Sequence, residues 1–143
     1  MTGVSFAVPG DPQGKGRPRA TTRGGHASLY TPAKTLAYEG LIAHAAQQAM
    51  AGAAPVDHAC LVQMHIIVGV PASWSKKRQA AALAGHVMPT KKPDTDNVVK
   101  AVFDGMNGVV WRDDVQAVDL FVRKRYGLTP GVFVRVTRCG EAA

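Results

Sequence analysis

A chain of 143 residues with a formal net charge of +7 and a pI near 9.8 is the size of one domain, and such a domain buries roughly 68–70% of its unfolded surface. A core of that size excludes any need for disulfide or zinc staples, and Cys60 and Cys139 have neither a CxxC partner nor a zinc-like Cys/His spacing. Nothing after Met1 reads as a signal peptide and no apolar run nears the ~20 residues of a membrane span, so the expectation is a soluble, unexported, cytoplasmic protein with reduced thiols.

In chain order, Val4–Val8 is short and apolar, ends at Pro9-Gly10, and predicts a first strand. Gly10–Ser28 is rich in Gly, Pro, Arg and Thr. It carries Lys15, Arg17, Arg19 and Arg23 and predicts a mobile basic loop. Thr31-Pro32 predicts a helix start, with Thr as N-cap and Pro at the first helical position, and the Ala-rich run to about Met50 continues it until Ala51–Pro55. From Ala59 to Val70 the apolar residues recur at every second position, with Gln63 and His65 on the opposite face, which predicts a strand. After Pro71, with Ser73 as a candidate N-cap, Lys76–Ala84 predicts a short helix, and Gly85–Pro93 reads as irregular.

An amphipathic helix follows from Thr95 to Asn107, with Val98, Val99, Val102, Phe103 and Met106 facing the core. Val115–Tyr126 alternates as a strand, Thr129–Gly131 is a turn, and Val132, Val134 and Val136 mark the inner face of a last strand. The order is β-α-β-(short α)-α-β-β without repeats or a linker, which predicts one α+β domain over 1–143. Its expected architecture is a four-stranded mixed or antiparallel sheet packed on two main helices. The order of strands within the sheet is not encoded in this pattern.

The basic balance points to a polyanion such as nucleic acid. Against that background, six of the ten acids fall between Asp94 and Asp119, as expected of a basic protein that holds a cation in one place. Asp94 and Asp96 stand at the start of the predicted helix, where capping and the macrodipole already favour acids. Capping does not account for Lys100, one turn beyond Asp96, or for Asp104 one turn further on the same face. A second cluster, Asp113-Asp114, precedes the next strand and reads equally as a solvated turn. If the helix packs on that strand, three carboxylates converge in a way that suits a hard oxygen-ligated cation such as Mg²⁺. Neighbouring side chains of an extended segment point to opposite faces, so one of Asp113 and Asp114 is expected to face that cation. The five histidines show no ligand spacing, and Trp111 reads as core.

The segment Pro93-Asp94-Thr95-Asp96-Asn97-Val98-Val99-Lys100, then Asp104, then Trp111-Arg112-Asp113-Asp114-Val115-Gln116, resembles the signature of the RusA family of Holliday-junction resolvases. That signature runs Asp-x-Asp-Asn-x-x-Lys with a later Asp-Asp-x-Gln. The likeness is clearest from Lys92 to Lys124. It implies a metal-dependent endonuclease that nicks two opposed strands of a four-way DNA junction as a homodimer, in a family common in phages and prophages. Carried over by position, it implies Asp94, Asp96 and Asp114 as ligands for one or two Mg²⁺ ions, with Mn²⁺ as a substitute, and Lys100 as the catalytic lysine. Asp104 and Asp113 are candidates for the surrounding support, and Arg17, Arg19, Lys91 and Lys92 for DNA-backbone contacts. Compact members lack a counterpart of 72–89. The rival reading from the residues alone is a non-catalytic DNA-binding module, with acids that cap a helix and a basic loop that grips phosphates.

Overall fold

The computed structural model describes residues 3–140; residues 1–2 and 141–143 and the Arg23 side chain, counted above among the loop cations, lie outside the described residues. The chain runs β1 (Gly3–Pro9), β2 (Arg19–Thr21), β3 (Ser28–Tyr30), α1 (Ala33–Met50), β4 (Cys60–Gly69), α2 (Lys76–Leu83), α3 (Thr95–Met106), β5 (Ala117–Gly127) and β6 (Gly131–Arg138). The main sheet has the order β1-β6-β4-β5, in which β6 pairs antiparallel with both β1 and β4, and β4 pairs parallel with β5. It is the mixed sheet of the α+β expectation.

A parallel pair requires a crossover. Here the chain between Gly69 and Ala117 supplies it and carries α2 and α3. The period-two residues Val4, Phe6 and Val8, Cys60, Val62, Met64 and Ile66, and Val132, Val134 and Val136 form one buried face. Tyr38, Ile42, Ala46 and Met50 of α1 and Val98, Val102 and Met106 of α3 close over them. The helices meet closely because of Gly105, where a Cβ would stand 2.7 Å from Ile42 Cβ. Trp111 is fully buried, and its indole N–H donates to Asn107 Oδ1 at 2.7 Å. Among the described residues, no element covers the opposite face of the sheet. Gln63, His65, Phe121, Arg123, Phe133 and Arg135 line a shallow depression there.

Several local expectations are corrected. The stretch read as a mobile loop, Gly10–Ser28, contains β2, which pairs antiparallel with β3 beyond it, Arg19 opposite Tyr30. The first helix starts at Ala33 with Pro32 at its N-cap and no side-chain cap, so Thr31 does not cap it. Ser75, not Ser73, caps α2, accepting from Arg78 N at 3.2 Å. The segment 72–89 is held by Trp74, whose ring packs edge-on against Tyr126 of β5 and face-on under the Arg78 guanidinium. A short 3-10 turn, Asp114–Gln116, takes the place of the first residues expected in the fifth long element, and β5 begins at Ala117. Cys60 is buried in β4 and Cys139 partly buried after β6, both free thiols. Among the described residues no helix is long and apolar enough to cross a membrane.

Candidate active site

Pro93 ends the segment before α3, and Asp94 takes the N-cap position with extended backbone, φ −67° and ψ 139°. Its carbonyl accepts the first helical bond, from Val98 N at 3.1 Å, but its carboxylate makes no capping hydrogen bond. The carboxylate instead accepts from Asn97 Nδ2 at 3.5 Å. Capping, the ordinary reason for an Asp here, therefore does not explain this side chain. Asp96 lies in the first turn, exposed, where the helix dipole favours an acid.

One turn further, Lys100 Nζ lies 3.1 Å from Asp104 Oδ1 and 3.9 Å from Asp114 Oδ2. The Lys100 side chain is 57% exposed, so these pairs add little to stability. Their consequence is positional: one ammonium is held between α3 and the chain just ahead of β5. Asp104 is shared, because its other oxygen binds Lys15 Nζ at 3.0 Å. Lys15 also donates to Glu39 of α1. Burial pulls the Lys15 pKa down, but the bonds to Glu39 and Asp104 outweigh it and leave the ammonium above its ordinary range.

The adjacent pair Asp113-Asp114 divides by partner. Asp113 caps the 3-10 turn, accepting from Asp114 N at 2.8 Å. Gln116 closes the box: its Oε1 accepts from Arg112 N at 2.9 Å and Asp113 N at 3.1 Å, while its Nε2 donates to Val56 O at 2.9 Å and His58 O at 3.1 Å. Asp113 is thus occupied with the backbone, and Asp114 is the one turned to Lys100. The helical turn, rather than alternation along a strand, separates the two. Gln116 escaped the sequence reading as a structural residue, although the Asp-x-x-Gln spacing of a capping box was present to find it.

The basic segment is anchored beside this site. Lys15 N donates to Asn97 O at 2.9 Å, and Gly16 N donates to Thr35 Oγ1 at 3.0 Å. At Gly14 a Cβ would come within 2.9 Å of Asn97 Cβ, so the close approach requires glycine. Arg17 and Arg19 are exposed just beyond this root, and Lys91 and Lys92 are exposed just before α3. Lys15 was legible only as one more loop cation. Its role as a clamp depends on Glu39 and Asp104, which lie far off in the chain.

The expected convergence of three carboxylates is not present as a closed cage. Among the described residues no group of three His, Cys, Asp or Glu side chains is gathered closely enough to hold a metal ion. Like charges repel, and here a lysine, not a third acid, stands between Asp104 and Asp114. The donors on offer are nonetheless all carboxylate oxygens at partly or fully exposed positions, the set that suits a hard divalent cation retaining several waters.

Comparison with known proteins agrees with the signature. The family model described as "Endodeoxyribonuclease RusA" matches residues 9–137. A protein of Bacillus subtilis (strain 168), called "Uncharacterized protein YqaN", is 35% identical over 141 residues, which cover 95% of this chain and 96% of that one.

Proposed function

The chain belongs to the RusA family of endodeoxyribonucleases, enzymes of Holliday junctions, and on that footing we propose that it resolves four-way DNA junctions by paired, Mg²⁺-dependent nicks. The observation that carries the reading is Lys100, paired with Asp104, turned to Asp114 and one helical turn beyond Asp96, on a helix whose N-cap Asp94 makes no side-chain cap. Asp94, Asp96 and Asp114 would hold one or two cations. Mg²⁺, or Mn²⁺ in its place, supplies Lewis-acid charge and activates a water when bound. Lys100 stabilises the negative charge that accumulates on the scissile phosphate. Asp104 keeps that ammonium aimed, and Lys15 in turn keeps Asp104 in place. Arg17, Arg19, Lys91 and Lys92 take the DNA backbone, leading the strand towards the acids.

Two opposed nicks call for two sites related by a twofold axis, so the active species is a homodimer. Supporting this, β5 is an edge strand, and Val115, Val118, Leu120 and Phe121 are 75%, 58%, 48% and 59% exposed beside Asp114. Apolar side chains exposed on and just before the first half of an edge strand invite a partner, although Asp119 and Arg123–Arg125 charge the rest of that strand.

The test is nicking of a labelled synthetic four-way junction with and without Mg²⁺. Asp96→Asn should abolish cleavage while junction binding stays equal or tightens, because a charge facing phosphate is removed. Lys100→Ala should lose rate rather than affinity. Near-normal cleavage by Asp96→Asn in Mg²⁺ rejects the assignment.

A further inference from the structure

The backbone of Asp94 is tied into α3 by its carbonyl, but nothing within α3 fixes its carboxylate firmly. Its carboxylate does not cap the helix, and its one side-chain hydrogen bond among the described residues is the 3.5 Å bond from Asn97. The backbone just before it is held from outside. Lys124, near the far end of β5, extends its side chain to residues 91–93, where Nζ donates to Pro93 O at 2.8 Å and to Lys91 O at 3.0 Å. Both carbonyls belong to the bend that leads into α3, outside the sheet and helix ladders. An ammonium has three donors and no acceptor, so a lysine can tie together two carbonyls that a neutral apolar side chain would leave without these bonds.

We infer that Lys124 is a positioning residue for the metal site, setting where the Asp94 carboxylate stands by clamping the two carbonyls that precede it. The clamp also links the acids to each other. Asp94 follows the bend, Asp114 leads into β5, and Lys124 joins that strand to that bend across the sheet edge. Charge-assisted bonds to a backbone carbonyl are among the stronger hydrogen bonds, and the shorter of the two, to Pro93 O, is partly buried while the one to Lys91 O is exposed. Basicity does not explain the residue: an ammonium kept for DNA would be turned to solvent, whereas two of its donors are committed to backbone.

The inference rests on the reading of Asp94 as a metal ligand, and the experiment separates the two. Mn²⁺ binding to the full chain without DNA is followed by electron paramagnetic resonance of free Mn²⁺, with melting temperature measured on the same samples. Lys124→Met should weaken Mn²⁺ binding by roughly 10–100-fold, the usual loss when support around a metal ligand is removed. Lys124→Arg, which keeps several N–H donors, should restore most of it. Lys124→Gln, shorter and neutral, is measured alongside in case the apolar variant does not fold, and should show the same weakening. A lower melting temperature with wild-type Mn²⁺ affinity in the folded protein would overturn the proposal. So would wild-type Mn²⁺ affinity combined with a junction-binding salt slope reduced by ~0.9, which would make Lys124 a phosphate contact. Unchanged affinity in Asp94→Asn overturns the ligand assignment and this proposal with it, whereas loss in Asp94→Asn with wild-type affinity in the Lys124 variants overturns the role of Lys124 alone.

Discussion

Asp113 and Asp114 are neighbours of identical chemistry whose roles part according to what each carboxylate touches. Asp113 accepts a backbone N–H and starts a capping box, and Asp114 lies 3.9 Å from Lys100. Asp113→Ala should therefore cost about 0.5–2 kcal/mol of stability, with nicking per folded molecule little changed. Asp114→Asn should do the reverse, melting near wild type and failing to cut. Thermal melts paired with junction assays check both, and equal loss of cutting in the two variants would deny the division. The same residue-level logic separates Lys15 from Arg17 and Arg19: the first is spent on Glu39 and Asp104, and the other two are exposed.

Among the elements, the segment between β1 and α1 is the one whose character changed most. Its root is bonded to Asn97 and Thr35, and beyond the root it folds into the β2-β3 hairpin. A basic segment rooted beside α3 limits how far its arginines range, while a wholly free loop would spend more ordering entropy on each contact. Arg17→Ala combined with Arg19→Ala should weaken junction binding and flatten its salt dependence by up to ~0.9 units of log–log slope per lost phosphate contact. Binding isotherms over a salt series measure this, and an unchanged slope would return both arginines to a merely solubilising role.

For the whole molecule, the two faces of the sheet differ in kind: one is the core, and the other, with the free edge of β5, is uncovered among the described residues. If that edge is the twofold contact, Leu120→Glu combined with Val118→Glu should give a monomer by analytical ultracentrifugation that binds junctions but has lost paired nicking. A variant that still sediments with wild type would place the interface elsewhere. The open face also carries a pH response. His65 has its pKa lowered from 6.5, first by burial and then by Arg123 and Arg125, and its Nε2 is buried without a hydrogen-bond partner among the described residues. A depressed folded pKa means that the unfolded chain takes the proton first. This contribution to stability is thus complete above the ordinary value and is lost as pH falls from there through the folded one. Melting temperature should decline as pH falls below the ordinary value of 6.5, less steeply in His65→Gln. Parallel slopes in the two proteins would remove His65 as the cause.

The sequence by itself determined the four strands of the main sheet, the three helices and the chemical inventory, but not the β2-β3 hairpin or the Asp114–Gln116 turn. Period-two valines wrote β4 and β6, the spacing of Val98, Val102 and Met106 wrote the buried face of α3, and the Asp-x-Asp-Asn-x-x-Lys spacing named the family, because these are local patterns of one segment. It read helix caps less well: Thr31 and Ser73 have the right chemistry, but the first turns begin at Ala33 and Lys76, where local backbone geometry places them. Tertiary structure decided everything that depends on residues distant in the chain. The parallel pairing of β4 with β5, the division of labour between Asp113 and Asp114, the Lys15 clamp on Glu39 and Asp104, and the reach of Lys124 to Pro93 all join segments whose separation no periodicity records. The physical reason is that burial and alternation are properties of a segment, whereas an ion pair or a carbonyl clamp exists only after the crossover has brought its two halves together.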